Sequence, residues 1–104
     1  MKRERPKEFY YTNEQMAKDL IAITPISPLD TILDAGSGNF IWFNNLPCLT
    51  KNRRECEIER GCDFYNWIEK VDWVIGNPPF HEGWKFIDKA SQIAEKGIAF
   101  LGNL

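Results

Sequence analysis

The sequence predicts one α/β domain with a mostly parallel sheet and flanking helices, because strand-like apolar runs alternate with helical segments along the chain. Two motifs support this fold class. A glycine-bearing turn, DAGSGNF, follows the first apolar run, and in α/β sheets such a turn leads from a strand into a helix. Later, the apolar run VDWVIG meets NPPF, whose prolines cannot donate to a strand ladder and must end the strand.

The first element is predicted to be a helix that begins after Thr12. Thr12 can cap this helix, and Gln15, three residues later, can complete a capping box. Pro25 lies beyond the end of the helix. The apolar face of the helix is predicted to consist of Met16, Leu20 and Ile23.

The strands are predicted from short runs of apolar, β-branched or aromatic residues. They are expected at 31–34, 53–58, 63–67, 71–76 and 98–101. Between the first two, a helix is predicted to begin near Phe40 and to stop at Pro47. The connection between the strands at 53–58 and 71–76 is too short for a full helix, so we expect this part of the helical layer to be thin.

The last helix is predicted over residues 82–96, where apolar positions recur at helical spacing. Gly97 is expected to cap its C-terminus. The buried face of this helix is predicted to consist of Trp84, Ile87, Ala90, Ile93 and Ala94.

Composition excludes several classes of protein. Of 104 residues, 43% are hydrophobic and 27% are charged, which is typical of one small globular domain and not of a disordered or fibrous chain. The formal net charge of -2 gives no general attraction to nucleic acid. No apolar run approaches the roughly 18 residues that a membrane span needs. No apolar stretch follows the basic segment MKRERPKEFYY, so we expect neither a membrane segment nor a signal peptide.

The cysteines are odd in number and match no metal or redox spacing. They are Cys48, Cys56 and Cys62. We expect them to be reduced and partly buried in a cytoplasmic protein, without a metal site. His81 is the only histidine, and its place directly after the prolines puts it in a loop, where the sequence assigns it no role.

The glycine-bearing turn lies where an α/β sheet binds ligands, at the carboxyl end of its first strand. Gly36 and Gly38 allow backbone approaches that a Cβ would block. Asp34 lies just before the turn, and Glu57, in the second predicted strand, is placed to accept hydrogen bonds from ribose hydroxyls. No Lys-Ser/Thr pair follows the glycines, which excludes a phosphate-binding P-loop. The alternative is a purely structural turn between a strand and a helix.

The two motifs together resemble the S-adenosylmethionine-dependent methyltransferases that act on amino groups, above all the DNA adenine-N6 methyltransferases. LDAGSGNF is followed by DWVIGNPPF about forty residues later, in the order of that family. The resemblance implies a Rossmann-like class I methyltransferase fold over residues 1–104, with S-adenosylmethionine as cofactor. It also implies nucleic acid, in the first place DNA, as partner, and no membrane.

The resemblance assigns roles to individual residues. The cofactor-binding positions that it implies are Tyr11, Thr12, Asp34, Ala35, Gly36, Gly38, Glu57, Asp63, Phe64 and Asn77. The catalytic tetrapeptide that it implies is Asn77, Pro78, Pro79 and Phe80. In the family, the glycine turn surrounds the methionine part of the cofactor and the acid matched by Glu57 holds the ribose.

The remaining implied roles concern the two ends of the cofactor. Asp63 and Phe64 match positions that read and sandwich the adenine of the cofactor. Tyr11 and Thr12 match a motif that helps to close over its methionine end. For Tyr11, packing beside the first helix is the alternative.

The catalytic motif has a chemical rationale. The exocyclic amine of adenine is a poor nucleophile because its lone pair is delocalised into the ring. The Asn77 side-chain oxygen and the Pro78 carbonyl can accept hydrogen bonds from its two N–H groups and so free the lone pair. The two prolines hold these acceptors rigidly. Phe80 offers a flat face for the target base, which must leave its duplex to reach the site.

Other readings of the same motifs stay open. The tetrapeptide also serves related enzymes that methylate RNA bases or protein glutamine. A third alternative is a catalytically silent cofactor-binding or assembly module, which the short length of the chain supports. Family members usually continue past IAFL with further strands, so we expect the C-terminal strands to be missing here. The last strand would then be an uncovered edge, which predicts a homodimer or a complementing partner chain.

Overall fold

Four parallel strands form the centre of the molecule. In the computed structural model, which describes residues 14–36 and 40–101, they are β1 (Ile32–Ala35), β2 (Arg53–Cys56), β3 (Val71–Gly76) and β4 (Ala94–Phe100). Their order across the sheet is β2-β1-β3-β4, and each neighbouring pair is parallel. The predicted α/β class with a mostly parallel sheet is therefore confirmed.

Helices cover both faces of this sheet. α1 (Glu14–Ile23) and α2 (Ile41–Asn45) lie on one face, and α3 (Gly83–Ile93) lies on the other, beside a 3₁₀ turn at Phe64–Asn66. The core on the first face includes Ala17, Ile21, Ile32, Trp42, Leu46, Trp73 and Ile75. The core on the second face includes Leu33, Phe64, Val71, Val74, Phe86, Ala90 and Ile93. The central strands thus send alternate side chains to the two cores, as the pleat requires.

The strand order creates a switch point between β1 and β3. From β1 the chain passes through α2 to β2 on one side, whereas β3 and β4 are added on the other side of β1. Asp34 of β1 lies beside Glu55 of β2 and Ile75 of β3, so the three strands end at the same edge of the sheet. Open parallel sheets bind ligands at the carboxyl ends of their strands, at such a switch point.

Helix α1 forms where the sequence predicts it but buries a different face. Ala17 and Ile21 are buried, whereas the predicted core residues Met16 and Ile23 are exposed. The buried stripe lies one residue further along the chain, and one residue turns the buried face by about 100°. The sequence therefore predicts the position of this helix correctly but not which of its faces is buried.

No strand forms at 63–67, where the sequence predicts one. This segment contains the 3₁₀ turn at Phe64–Asn66, in which Asp63 Oδ1 accepts a hydrogen bond from the Tyr65 N–H (3.0 Å). Such a local bond competes with strand pairing. The expected thin connection is confirmed, because two 3₁₀ turns, this one and Ile58–Arg60, stand between β2 and β3 in place of a helix.

Helix α3 ends earlier than predicted, and its buried face matches the predicted one only at Ala90 and Ile93. Phe86, Ala90 and Ile93 are buried, whereas the predicted core residue Trp84 is exposed over 84% of its surface and Ile87 is exposed as well. The spacing of the buried residues, i, i+4 and i+7, is that of one helical stripe. Phe86, which the predicted face leaves out, is the aromatic anchor of the helix.

Strand β4 begins directly after α3, at residues where the sequence predicts the last turn of that helix. Its first residues favour a helix locally, but they pair with β3, and pairing overrides weak local propensity. Gly97 lies inside β4 and not at a helix end, so its predicted role as a cap is wrong. A Cβ at Gly97 would lie 2.6 Å from the Trp73 ring, so glycine there makes room for the ring.

A carboxylate below the sheet ties three strands together at the edge opposite the switch point. Asp30, just before β1, pairs with Lys96 of β4 (2.5 Å) and accepts from Trp73 Nε1 of β3 (2.9 Å). Burial raises the pKa of Asp30, but hydrogen bonds from Lys96, the Ser27 N–H and Trp73 outweigh it and hold the pKa below its ordinary value. The hydrogen bond to Asp30 raises the pKa of Lys96.

Two of the three cysteines are joined, which corrects the expectation that all are reduced. Cys56 at the end of β2 and Cys62 form a disulfide. Cys48 is a free, buried thiol, and burial raises its pKa. The six-residue separation matches no redox motif, so sequence spacing gave no signal for the bond. Because disulfides persist in oxidising compartments, the cysteines no longer support a cytoplasmic location, which stays a prediction.

Within 14–36 and 40–101, no helix combines the length and the apolar character that crossing a membrane requires.

Candidate functional site

The ends of β1 and β3 approach each other closely at the switch point. Gly76, the last residue of β3, has a φ of +151°, and a Cβ there would lie 2.7 Å from the Ala35 carbonyl oxygen. Only glycine fits this backbone and this distance without strain. Gly76 therefore sets the close approach of the two strand ends, and the segment after it starts directly beside the turn that follows β1.

The segment after β3, which we call the Pro-Pro turn (77–82), carries the predicted catalytic tetrapeptide. Asn77 is half-buried and Pro78 is buried. The Glu82 N–H closes the turn by donating to the Pro79 carbonyl (3.0 Å), whereas no backbone N–H of the described chain reaches the Pro78 carbonyl. The Phe80 side chain lies outside the described part. Asn77 and Pro78 are thus consecutive residues that directly follow the end of β3.

The turn after β1 faces open space. Gly36 has a φ of +77°, and a Cβ there would meet no described atom within 4 Å. Ala35 is buried at the end of the strand. Asp34 is fully buried, and its Oδ2 accepts the Phe43 N–H at the start of α2 (3.1 Å). Asp34 therefore satisfies a helix N-terminus, which is a structural role at the position predicted for cofactor binding.

Three predicted cofactor residues cannot be placed. Tyr11, Thr12 and Gly38 lie outside the described residues, and their roles stay predictions.

The end of β2 lies beside the same edge. The Gly36 N–H donates to the Cys56 carbonyl (2.6 Å), which ties the β1 turn to the end of β2. Glu57, the next residue, is buried, and its Oε2 accepts the Glu59 N–H (3.0 Å). Across this edge, the Arg60 guanidinium lies 4.1 Å from the centre of the Phe40 ring. Gly36 and Phe40, on either side of the glycine turn, thus contact residues at and after the end of β2.

The predicted adenine-reading pair lies in the next turn. Asp63 has one carboxylate oxygen bonded to the Tyr65 N–H (3.0 Å). Phe64 is only 4% exposed, and its ring centroid lies 4.9 Å from that of Phe86 in α3. Phe64 therefore belongs to the core under α3, and its predicted contact with a cofactor adenine stays a prediction.

Two further residues beside the Pro-Pro turn were not predicted. Tyr65 Oη donates to Glu82 Oε1 (3.3 Å), which joins the Phe64–Asn66 turn to the Pro-Pro turn. Trp84, at the start of α3, is an exposed aromatic side chain two residues beyond that turn. A signal for Trp84 existed, since an aromatic residue directly follows NPPFHEG, but helical spacing assigned it to the core.

The described residues contain no group of three or more His, Cys, Asp or Glu side chains that could hold a metal ion. Compared with known proteins, the chain matches no family model, no curated protein and no solved structure. The resemblance to the amino-group methyltransferases therefore rests on the two motifs and on where the fold places them.

Proposed function

We propose that this chain transfers a methyl group from S-adenosylmethionine to an exocyclic amine, with adenine N6 in DNA as the first candidate, on a Rossmann-like methyltransferase fold. One observation carries the proposal. The Pro-Pro turn follows β3 at the switch point of the sheet, directly beside the glycine turn of β1. The two motifs, about forty residues apart in sequence, thus lie at one edge of the sheet where α/β folds bind ligands.

Two observations support S-adenosylmethionine as the cofactor in this proposal. No described atom lies within 4 Å of a Cβ at Gly36, which leaves room for a ligand beside the end of β1. Glu57 and Asp63 follow β2 in order, as the proposed sites for ribose hydroxyls and for an adenine amine, and the buried Glu57 carboxylate must become accessible to take this role. When bound, S-adenosylmethionine supplies a methyl group that its sulfonium already activates, so the protein has mainly to position and polarise the acceptor.

The Pro-Pro turn supplies the polarising groups in this proposal. The Asn77 side-chain oxygen and the Pro78 carbonyl each accept a hydrogen bond from one N–H group of the substrate amine. Both prolines fix φ, so the acceptors need little reorganisation during the reaction. The Pro79 carbonyl is occupied by the Glu82 N–H, which leaves the Pro78 carbonyl as the backbone acceptor.

An exposed aromatic residue supports a nucleic-acid substrate. Trp84 presents most of its ring to solvent at the start of α3. A tryptophan that is 84% exposed buries little apolar surface in the fold, whereas unstacked bases bind well to aromatic faces. Trp84 therefore fits a role in holding a base next to the one that enters the site.

Methyl transfer tests the proposal directly. The chain is incubated with methyl-labelled S-adenosylmethionine and duplex DNA, single-stranded DNA, RNA or a mixed protein substrate, and the products are identified by mass spectrometry. We expect N6-methyladenine in DNA. Methylated RNA or methylated glutamine would support the proposed methyl transfer but with RNA or protein as the substrate in place of DNA. A folded chain that binds the cofactor and labels none of these would be a silent cofactor-binding module.

A further inference from the structure

A side-chain hydrogen bond joins the two turns that border the candidate site. Tyr65 Oη donates to Glu82 Oε1 over 3.3 Å, although the two residues are 17 positions apart in sequence. Tyr65 directly follows Asp63 and Phe64, and Glu82 ends the Pro-Pro turn. The bond therefore connects the predicted adenine-reading segment with the predicted catalytic segment.

Both partners of this bond are held in place. The Tyr65 ring packs edge-on against Phe86 of α3, with the centroids 5.4 Å apart. The Glu82 side chain is only 13% exposed, and its backbone N–H closes the Pro-Pro turn on the Pro79 carbonyl. A carboxylate that is largely removed from water needs hydrogen-bond partners, and the Tyr65 hydroxyl is one of them.

The Glu82 side chain points away from the helix that it precedes. Glu82 is the residue before the first turn of α3, where a negative charge interacts favourably with the helix dipole. It makes no side-chain cap bond to α3. Its carboxylate faces Tyr65 instead and lies 3.7 Å from His81 Nε2, within ion-pair distance when the imidazole is protonated. Local helix stability therefore does not explain why the side chain points toward Tyr65.

We propose that Tyr65 and Glu82 are positioning residues: their hydrogen bond holds the Pro-Pro turn against the Phe64–Asn66 turn and so fixes the place of the Asn77 and Pro78 acceptors. This inference rests on the proposed function for its effect on catalysis. Glu82 acts through its own N–H on the Pro79 carbonyl, next to the Pro78 acceptor. Small displacements of catalytic groups cost large factors in rate, so a loosened turn lowers turnover.

Tyr65→Phe is the sharpest variant, because it removes the hydroxyl and keeps the ring on Phe86. We expect kcat for methyl transfer to fall about tenfold while the affinity for S-adenosylmethionine changes by less than about twofold. Glu82→Ala should lower kcat to a similar extent. Glu82→Gln retains an oxygen acceptor and should restore most of the rate, and the double variant Tyr65→Phe with Glu82→Ala should be no worse than either single change.

The matched control removes another aromatic donor nearby. Trp67 Nε1 donates to the Glu69 carbonyl (2.9 Å) and not to the Pro-Pro turn. Trp67→Phe should therefore leave kcat unchanged. Equal losses of kcat in Trp67→Phe and Tyr65→Phe would overturn the proposal, because they would point to a general loss of stability.

Hydrogen exchange separates this inference from the proposed function. In Tyr65→Phe, the Glu82 amide should exchange faster than in the wild type, because the turn that it closes is less restrained. If the Glu82 amide exchanges faster but the wild-type chain shows no methyl transfer, the restraint by Tyr65 is supported and the proposed methyltransferase function is contradicted. Unchanged exchange at Glu82 would overturn the inference even in an active enzyme, and so would faster exchange with unchanged kcat.

Discussion

At the scale of single residues, Asn77 carries the chemistry of the proposed reaction. Replacing Asn77 by alanine should leave S-adenosylmethionine binding in place and lower methyl transfer by roughly 100-fold or more, as for the loss of one preorganised polar group in an active site. The side chain is half-buried at the end of β3, so its loss should cost little stability. Calorimetry for the cofactor and product analysis for transfer measure the two effects, and full turnover in the variant would remove Asn77 from the mechanism.

Trp84 is the residue that most directly tests nucleic-acid binding. Trp84→Ala should weaken the affinity for single-stranded DNA by about 1–3 kcal/mol, the usual worth of one stacked base. Because the ring is exposed, the free energy of unfolding should change by less than about 0.5 kcal/mol.

Ile68→Ala is the control for Trp84, since Ile68 is 89% exposed but precedes β3, at the opposite edge of the sheet. Fluorescence anisotropy with a labelled oligonucleotide compares the two variants. Equal affinities of Trp84→Ala and Ile68→Ala would exclude the stacking role.

The acidic residues show how far sequence can define a site. Asp34 and Glu57 were predicted to lie at strand ends on a ligand-binding edge, whereas the site role of Asp63 came from the family resemblance alone. Each also accepts a backbone N–H from a residue that follows it in sequence, from Phe43 in the case of Asp34. These bonds depend on the exact turn geometry, which residue type alone does not determine. Alanine at these positions therefore removes a structural bond as well as a candidate ligand contact.

For helices and strands, the sequence predicted the features that neighbouring residues alone determine. β3 and its end were predicted because a β-branched run meets Pro78 and Pro79. The rotation of α1 was missed, and the buried face of α3 was predicted correctly only at Ala90 and Ile93, because a buried face depends on the partner across the interface and not on the helix alone. β4 was predicted to begin too late, since Ala94 and Glu95 favour helices and only pairing with β3 makes them a strand.

The contact between β1 and β3 depends on Gly76. Gly76→Ala places a Cβ against the Ala35 carbonyl and forces alanine to a φ of +151°, so it should lower the free energy of unfolding by about 2 kcal/mol or more. Urea denaturation measures this loss.

Gly83→Ala is the matched control, because no described atom lies within 4 Å of a Cβ there and the residue begins α3. It should leave stability unchanged or raise it by up to about 1 kcal/mol. Equal stabilities of the two variants would mean that β1 and β3 do not meet as described.

At the scale of the whole molecule, the Asp30–Lys96 pair predicts how stability depends on pH. The pKa of Asp30 is lowered in the folded state, so its contribution is present above its unfolded pKa of about 3.9 and is lost as pH falls through the folded value. The pKa of Lys96 is raised, so its contribution is present below about 10.4 and is lost as pH rises through the folded value.

Asp30→Asn isolates the acidic part of this dependence. The difference in unfolding free energy between the wild type and Asp30→Asn should be largest near neutral pH and should shrink as pH falls below about 4. Urea titrations across this range measure the difference. A difference that stays constant down to pH values well below that point would show that the pKa of Asp30 is not lowered in the folded chain.

The central claim is that the edge formed by the ends of β1, β2 and β3 binds S-adenosylmethionine. Isothermal titration calorimetry of the folded chain with this cofactor tests the claim most directly, with circular dichroism confirming that the sample is folded. We expect saturable binding of one molecule per chain, weakened about tenfold or more in a folded Glu57→Ala variant by the loss of one charged-group hydrogen bond. A folded wild-type chain that binds neither S-adenosylmethionine nor its demethylated product would contradict the account.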